Sequence, residues 1–182
     1  SDKIRNVADG ESNPVALRVQ AIAALLKTNQ TFSEKHFDYL YAQLKDSKEA
    51  PVRQQVASVL IQGKLPEDRL LKLATEYLPK VDDFILPRLI PIFKGAHSSE
   101  IAKPLISALL NSPSLDGFSE ENLRVVFEEY PADVNPLVDQ LVVKLNEMRA
   151  GRLKRLQVFE SQIEKGDLAR GRMLFCGKAA CY

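Results

Sequence analysis

Two cysteines, Cys176 and Cys181, and two histidines, His36 and His97, are the only thiol and imidazole groups in the chain. Metal, haem or nucleophilic chemistry has to be built from these groups or from carboxylates. The two thiols are separated by four residues, whereas redox and zinc pairs favour two. They are either two free thiols or a pair bridged to each other. His36 and His97 lie far apart and have no Cys or acidic residue at ligand spacing, so His36 is expected on a helix surface and His97 in the loop after Gly95. The acidic pairs Asp82-Asp83, Glu120-Glu121 and Glu128-Glu129 do not read as catalytic dyads. Carboxylates at helix starts serve the macrodipole, and adjacent helical residues point in different directions. No phosphate loop, nucleophile elbow or zinc signature occurs, so the chain shows no active site, and a lyase-like enzyme on helical repeats would need a polar cluster that is not seen. Arg149, Arg152, Lys154 and Arg155 form a local basic cluster. It reads as the solvated face of a long helix or as a docking patch for an acidic partner or neighbouring domain.

The elements that must position these groups follow from composition and periodicity. The chain has 182 residues, is 45% hydrophobic and carries a formal charge of +1. That suffices for one compact domain or a short run of repeats. It gives no case for nucleic-acid binding or polybasic membrane attachment. No apolar run approaches the roughly 18 residues of a membrane span, and the polar start Ser1-Asp2-Lys3 is not followed by an apolar leader core. With no cysteine before residue 176, the body stands on packing alone.

Val, Ile, Leu and Ala recur at helical spacing from Pro14 to Phe159, with no long alternating stretch, so the chain is expected to be all-α. Pro14 and Pro51 suit first turns. Ser33, Ser99 and Ser119, each followed by glutamate, suit helix starts. Stops fall at Gly63, Pro79, Gly95, Pro113 and Pro131. The expected helices span about 13–29, 33–47 with 50–62, 67–77 with 82–94, and 99–111 with 119–130, with Pro87 and Pro91 kinking or splitting the 82–94 helix. Arg18, Arg53, Arg88 and Arg124 recur at intervals of 35, 35 and 36 residues, behind Leu17, Val52, Pro87 and Leu123. Asp9, Asp46, Asp82 and Asp116 precede them by six to nine residues. Residues 1–131 thereby resemble HEAT repeats, helix pairs stacked into a right-handed α-α superhelix (a solenoid). The resemblance implies an Asp/Arg ladder between neighbouring turns; the alternative is four solvated helix arginines in register.

After Pro131, Leu137, Leu141, Leu145, Met148, Leu153, Leu156, Phe159 and Ile163 continue at helical spacing. One long helix over 132–165, bent near Gly151, is the expected cap and linker. The tail 166–182, GDLARGRMLFCGKAACY, opens with Asp167 as an N-cap. Gly171 in a helix interior costs about 1 kcal/mol relative to Ala, which suggests a close helix approach. This tail resembles the start of a c-type cytochrome domain, where such a helix leads into Cys-x-x-Cys-His. The resemblance implies that Cys181 is the first haem-thioether cysteine, that Gly171 and Phe175 pack at a helix crossing, and that the next encoded residues are x-Cys-His. With one thiol in place and no following histidine, this segment is expected to hold no haem and not to fold as a cytochrome, leaving Leu174 and Phe175 without their usual partner.

Together the segments resemble the C-terminal half of large bacterial multidomain proteins in which a dehydrogenase-like β-propeller precedes HEAT repeats and a cytochrome c domain. That architecture implies a scaffold, spacer and protein-interaction module between a dehydrogenase-like domain and an electron-transfer domain. It implies haem c in the parent protein and a periplasmic or cell-surface location. The alternative is an autonomous HEAT-type protein-binding module with no redox role. Adjacent domains and other proteins are the expected partners; nucleic acid and membrane insertion are not.

Overall fold

The computed structural model describes residues 2–29, 31–163 and 166–177, with backbone alone for 29 and 161–163. The chain is all-α, as expected, and no strand occurs among the described residues; Thr31 and Lys64 form an isolated bridge. Its contacts divide it into two compact units, Ser1–Leu145 and Asn146–Tyr182. The division falls inside a helix, between the boundaries expected at 131 and 165.

The first unit starts with a helix pair, α1 (Asp2–Asp9) and α2 (Val15–Asn29), where only the second was expected. Helix α1 shows weakly in the sequence because Ile4, Val7 and Ala8 are its only sizeable apolar contribution. Polar bonds secure it: Asn13 Nδ2 donates to the Val7 carbonyl (3.0 Å) and Arg18 Nε to the Ala8 carbonyl (3.1 Å).

Helix α3 (Glu34–Asp46) shows how the local code works. Ser33 Oγ accepts from the His36 N–H, satisfying one orphan donor. Phe37, Leu40, Tyr41 and Leu44 then place one stripe in the core. Each such side chain fully buried contributes about 1.5–3 kcal/mol. Helix α4 (Ala50–Leu60) carries Pro51 in its first turn and buries Val56, Ala57, Val59 and Leu60. Gly63 follows, and a Cβ there would lie 2.4 Å from the Phe32 ring, so a larger residue would have to displace that ring.

The third pair departs most from regular helix. Helix α5 (Glu67–Lys72) runs into a π-helical turn, Leu73–Tyr77, in which the Leu78 N–H reaches back to the Leu73 carbonyl. A 3-10 turn, Leu78–Lys80, follows at Pro79. Its partner is split into α6 (Leu86–Leu89) and a 3-10 turn, Ile90–Phe93, because Pro87 and Pro91 supply no N–H to an α ladder. Gly95, at φ 83°, occupies the left-handed conformation that glycine adopts without strain.

Helix α7 (Ser99–Asn111) is capped by Ser98 rather than Ser99 and tolerates Pro104 in its interior while burying Ile101, Ala102, Leu105, Ile106 and Leu109. Helix α8 (Glu120–Phe127) is capped by Ser119 and buries Leu123, Val126 and Phe127. Helix α9 (Asn135–Ile163) passes uninterrupted through Gly151 and buries Val138, Leu141, Val142 and Leu145. In the second unit, α10 (Leu168–Cys176) begins at Asp167, whose carboxylate accepts from the Arg170 N–H at 3.0 Å. No residue of α10 is buried.

Candidate functional site

The periodic arginines occupy four different environments. Arg18 donates to the Ala8 carbonyl and lies 3.7 Å from the centroid of the Tyr39 ring. Asp9, the acidic residue upstream of Arg18 in the series, binds Lys35 and His36. Arg53 donates to the Ser47 carbonyl at 2.8 Å and pairs at 3.2 Å with Asp82, the acid preceding the next arginine in the series. Asp82 also accepts from the N–H groups of Phe84 and Ile85. One carboxylate thus fixes its own turn and ties it to Arg53. Arg88 is exposed and makes no ion pair among the described residues. Arg124 is exposed and pairs with Glu120 at 2.9 Å and Asp139 at 3.3 Å.

Other polar ties join segments about one repeat apart. Tyr41 Oη donates to Glu76 across 35 residues, and Arg69 reaches Asp38 and Glu34 across 31 and 35. The His97 N–H donates to Glu67 across 30, Ser99 Oγ to Asp133 across 34, and Ser112 Oγ to Asp83 across 29. Tyr130 Oη donates to the Phe93 carbonyl across 37. Burial, with Glu76 as acceptor, pushes the Tyr41 phenol well above its ordinary range. Burial, opposed by Arg53 and reinforced by Asp82, pushes Tyr77 up to about 12.

The arrangement nearest to catalytic geometry is Asp9 with His36. The imidazole Nε2 lies 3.2 Å from Asp9 Oδ1, and Lys35 Nζ lies 3.3 Å from the same oxygen. His36 is more buried than the helix surface predicts, because Asp9 at the end of α1 covers it. Burial works to raise the Asp9 carboxyl, but Lys35 and His36 outweigh it and hold the pKa below its ordinary value. Arg5, Thr31 and Ser33 complete a cavity of about 370 Å³. Ser33 Oγ is turned onto the His36 backbone N–H and no bond joins it to the imidazole among the described residues. The pair acts as a clasp between α1 and α3.

In the second unit Cys176 is an exposed free thiol. Cys181 and Tyr182 lie outside the described residues. A Cβ added at Gly171 would meet no atom within 4 Å, so no close crossing occurs there among the described residues. Leu174 and Phe175 are exposed. Residues 166–177 supply one thiol and no histidine, which does not make a haem site by itself.

No protein-family model matches the chain, no curated protein matches it, and no solved structure matches it.

Two grooves in the first unit could receive a ligand. One, of about 310 Å³, is lined by Pro87, Ile90, Pro91, Phe118, Val125 and Val126, with Lys94 and Asn122 alongside. The other, of about 420 Å³, includes Pro79, Asp83, Pro104 and Ser112, and its carboxylate is already occupied by the Ser112 hydroxyl. Among the described residues neither brings a free base next to a nucleophile. In α9, Lys154 and Arg155 of the basic cluster are exposed, as are Leu153, Leu156 and Phe159 between and beyond them. The sequence displays this cluster openly but gives no sign of the Asp9–His36 clasp, whose partners lie 27 residues apart. No helix among the described residues is long and apolar enough to cross a membrane.

Proposed function

We propose that residues 1–131 form a HEAT-like right-handed α-α superhelix that serves as scaffold, spacer and protein-interaction module in a larger haem-c-containing oxidoreductase. In this reading the scaffold joins a dehydrogenase-like domain to a cytochrome c domain beginning at Gly166, outside the cytoplasm. The single observation that supports the scaffold most is a set of polar ties that span about one repeat, from 27 residues at Asp9–His36 to 37 at Tyr130–Phe93. Stacked repeats bond each unit to its neighbour alone, so ties of about one repeat are what that architecture requires. The cytochrome part rests on the tail sequence, on the Asp167-capped helix and on exposed Leu174 and Phe175, apolar groups awaiting a covering partner.

The test is an extended chain carrying the residues encoded after Tyr182, produced with haem maturation machinery. Covalently bound haem with a Soret band is the expected result; an extended chain without it removes the redox reading. The autonomous binding module would then stand, and one observation favours it: the core lies in residues before Asn146, with no contribution from α10.

A further inference from the structure

The groove of about 420 Å³ in the first unit holds one charged group and acceptors around it. It lies where the turn Leu78–Lys80 and α6 meet the C-terminal half of α7. Pro79, Leu86, Pro104 and Pro113 give it apolar walls. Asp83 is the charged residue, and no Lys, Arg or His lines the cleft among the described residues. Ser112, 5% exposed, donates from Oγ to Asp83 Oδ1 at 2.9 Å, and Ser114 Oγ donates to the Asp83 carbonyl at 3.5 Å. The carboxylate is thus fixed in orientation through one oxygen. The other, Oδ2, accepts no hydrogen bond and joins no ion pair among the described residues. Ser107 and Asn111 line the same cleft. Asn111 Nδ2 is engaged by the Ser107 carbonyl at 2.9 Å, which leaves Oδ1 as the amide's acceptor.

Ligand classes differ in what they demand of such a cleft. An anion would meet the Asp83 carboxylate with no lining cation to offset it. A hard metal ion takes six or more oxygen ligands at short range, several of them carboxylates, and no group of three His, Cys, Asp or Glu that could hold a metal occurs among the described residues. A neutral molecule would cover Oδ2 and leave its charge without a partner, which costs free energy. A primary ammonium group meets every demand. Its charge pairs with Asp83, and its three N–H donors match Asp83 Oδ2, Asn111 Oδ1 and Ser107 Oγ. An apolar stem behind it would rest on the proline walls. The volume falls within the range of small-molecule pockets, roughly 300–1,000 Å³.

We propose that this cleft binds a primary ammonium group carried on an apolar stem, with Asp83 as its counter-ion. The proposal goes beyond the scaffold reading and depends neither on haem nor on a superhelix. It is tested with the full chain by amide NMR titration against benzylamine, benzyl alcohol and benzoate, three probes of similar shape and different charge. Benzylamine is expected to shift signals from residues 83–86 and 105–112 and to bind about tenfold tighter than benzyl alcohol, the scale of one charge-assisted hydrogen bond. Benzoate is expected not to bind. Asp83→Asn retains an acceptor for Ser112 and removes the charge, so it should bring benzylamine down to the level of benzyl alcohol while the urea midpoint stays in place. Ala108→Leu narrows the cleft and should weaken both probes. Equal affinity for amine and alcohol, benzylamine affinity unchanged in Asp83→Asn, or shifts confined to other parts of the chain overturn the proposal. The comparison of amine with alcohol in the unaltered chain decides even where a variant fails to fold. Nα-acetyl-lysine methylamide separates the two sources of the group: tighter binding than benzylamine assigns the cleft to a partner's lysine side chain, and weaker binding to a free amine.

Discussion

Helices α3 and α10 start in the same way and end in opposite circumstances. Ser33 caps α3 and Asp167 caps α10, each by accepting a backbone N–H three residues on. Each helix then presents aromatic and aliphatic side chains within its first three turns. Yet Phe37 is 1% exposed while Phe175 is 57% exposed. Capping decides where a helix begins; the presence of a complementary surface decides whether its apolar face contributes to stability. In α3, Phe37 stacks on Tyr41 of the same helix at 5.9 Å, and the surface that covers it includes the Arg69 guanidinium, 4.9 Å from the Phe37 ring.

The sharpest way to break this comparison is to delete both rings. Phe37→Ala is expected to cost about 3–5 kcal/mol, the range for a buried phenylalanine that leaves a cavity. Phe175→Ala is expected to stay within about 0.5 kcal/mol, as for an exposed residue away from special features. Urea unfolding followed by circular dichroism measures both. A large loss at Phe175 would place α10 in the core and remove the distinction between the helices.

The same contrast explains how much of the fold is legible in the sequence. Start signals at Ser33, Ser119 and Asp167 are local chemistry, written within three or four residues, and they locate their helices. The prolines at 87 and 91 announce the split between α6 and the turn Ile90–Phe93 for the same reason. Helix α1 is not legible, because few apolar residues mark it and its docking rests on Asn13 and Arg18 bonding to carbonyls, which leaves no periodic trace. The arginine period is visible, but the partners are not. Arg53 uses an aspartate 29 residues on, and Asp9 serves a lysine and a histidine, choices made by three-dimensional proximity.

Alkali distinguishes the first unit from the second by a different route. Tyr41, Tyr77 and Tyr130 all belong to Ser1–Leu145, and burial raises each phenol above its ordinary value of about 10. A raised folded pKa means that the folded state binds the phenolic proton more tightly. The resulting stability is complete below about pH 10 and is lost as pH rises through the folded values, about 12 for Tyr77. Phenolate absorbance is therefore expected to rise together with loss of helix in that window. Tyr77→Phe should move the alkaline edge upward. Phenolate forming near pH 10 with the helices intact would show that these rings are accessible, contrary to the comparison.

A smaller effect separates two arginines of one periodic series. Arg53→Ala removes the Ser47 and Asp82 bonds of a partly screened side chain and is expected to cost about 1–2 kcal/mol. Arg88→Ala, at an exposed site with no ion pair among the described residues, should fall within about 0.5 kcal/mol. A double-mutant cycle of Arg53→Ala with Asp82→Ala isolates the pair. Equal losses at Arg53 and Arg88 would mean that register alone, and not the Asp82 tie, determines what these arginines contribute.

The smallest expected effect concerns Asp9 and Asp167, two aspartates at helix ends with different reach. Asp167 bonds within its own helix, so Asp167→Ala should reduce helicity in α10 and leave unfolding of the first unit unchanged. Asp9 joins α1 to α3 through Lys35 and His36, and its carboxyl is held below its ordinary value although burial works the other way. For a depressed carboxyl the stabilisation is present above the unfolded pKa, about 3.9, and disappears as pH falls through the lower folded value. Asp9→Asn should therefore weaken the clasp near neutral pH and shallow the acid limb of the stability curve, with amide exchange in α1 rising before that of α3. If Asp9→Asn leaves both the acid limb and α1 exchange unchanged, the clasp is a solvated pair. The attachment of α1 would then rest on the Asn13 and Arg18 bonds and on the packing of buried Ala8.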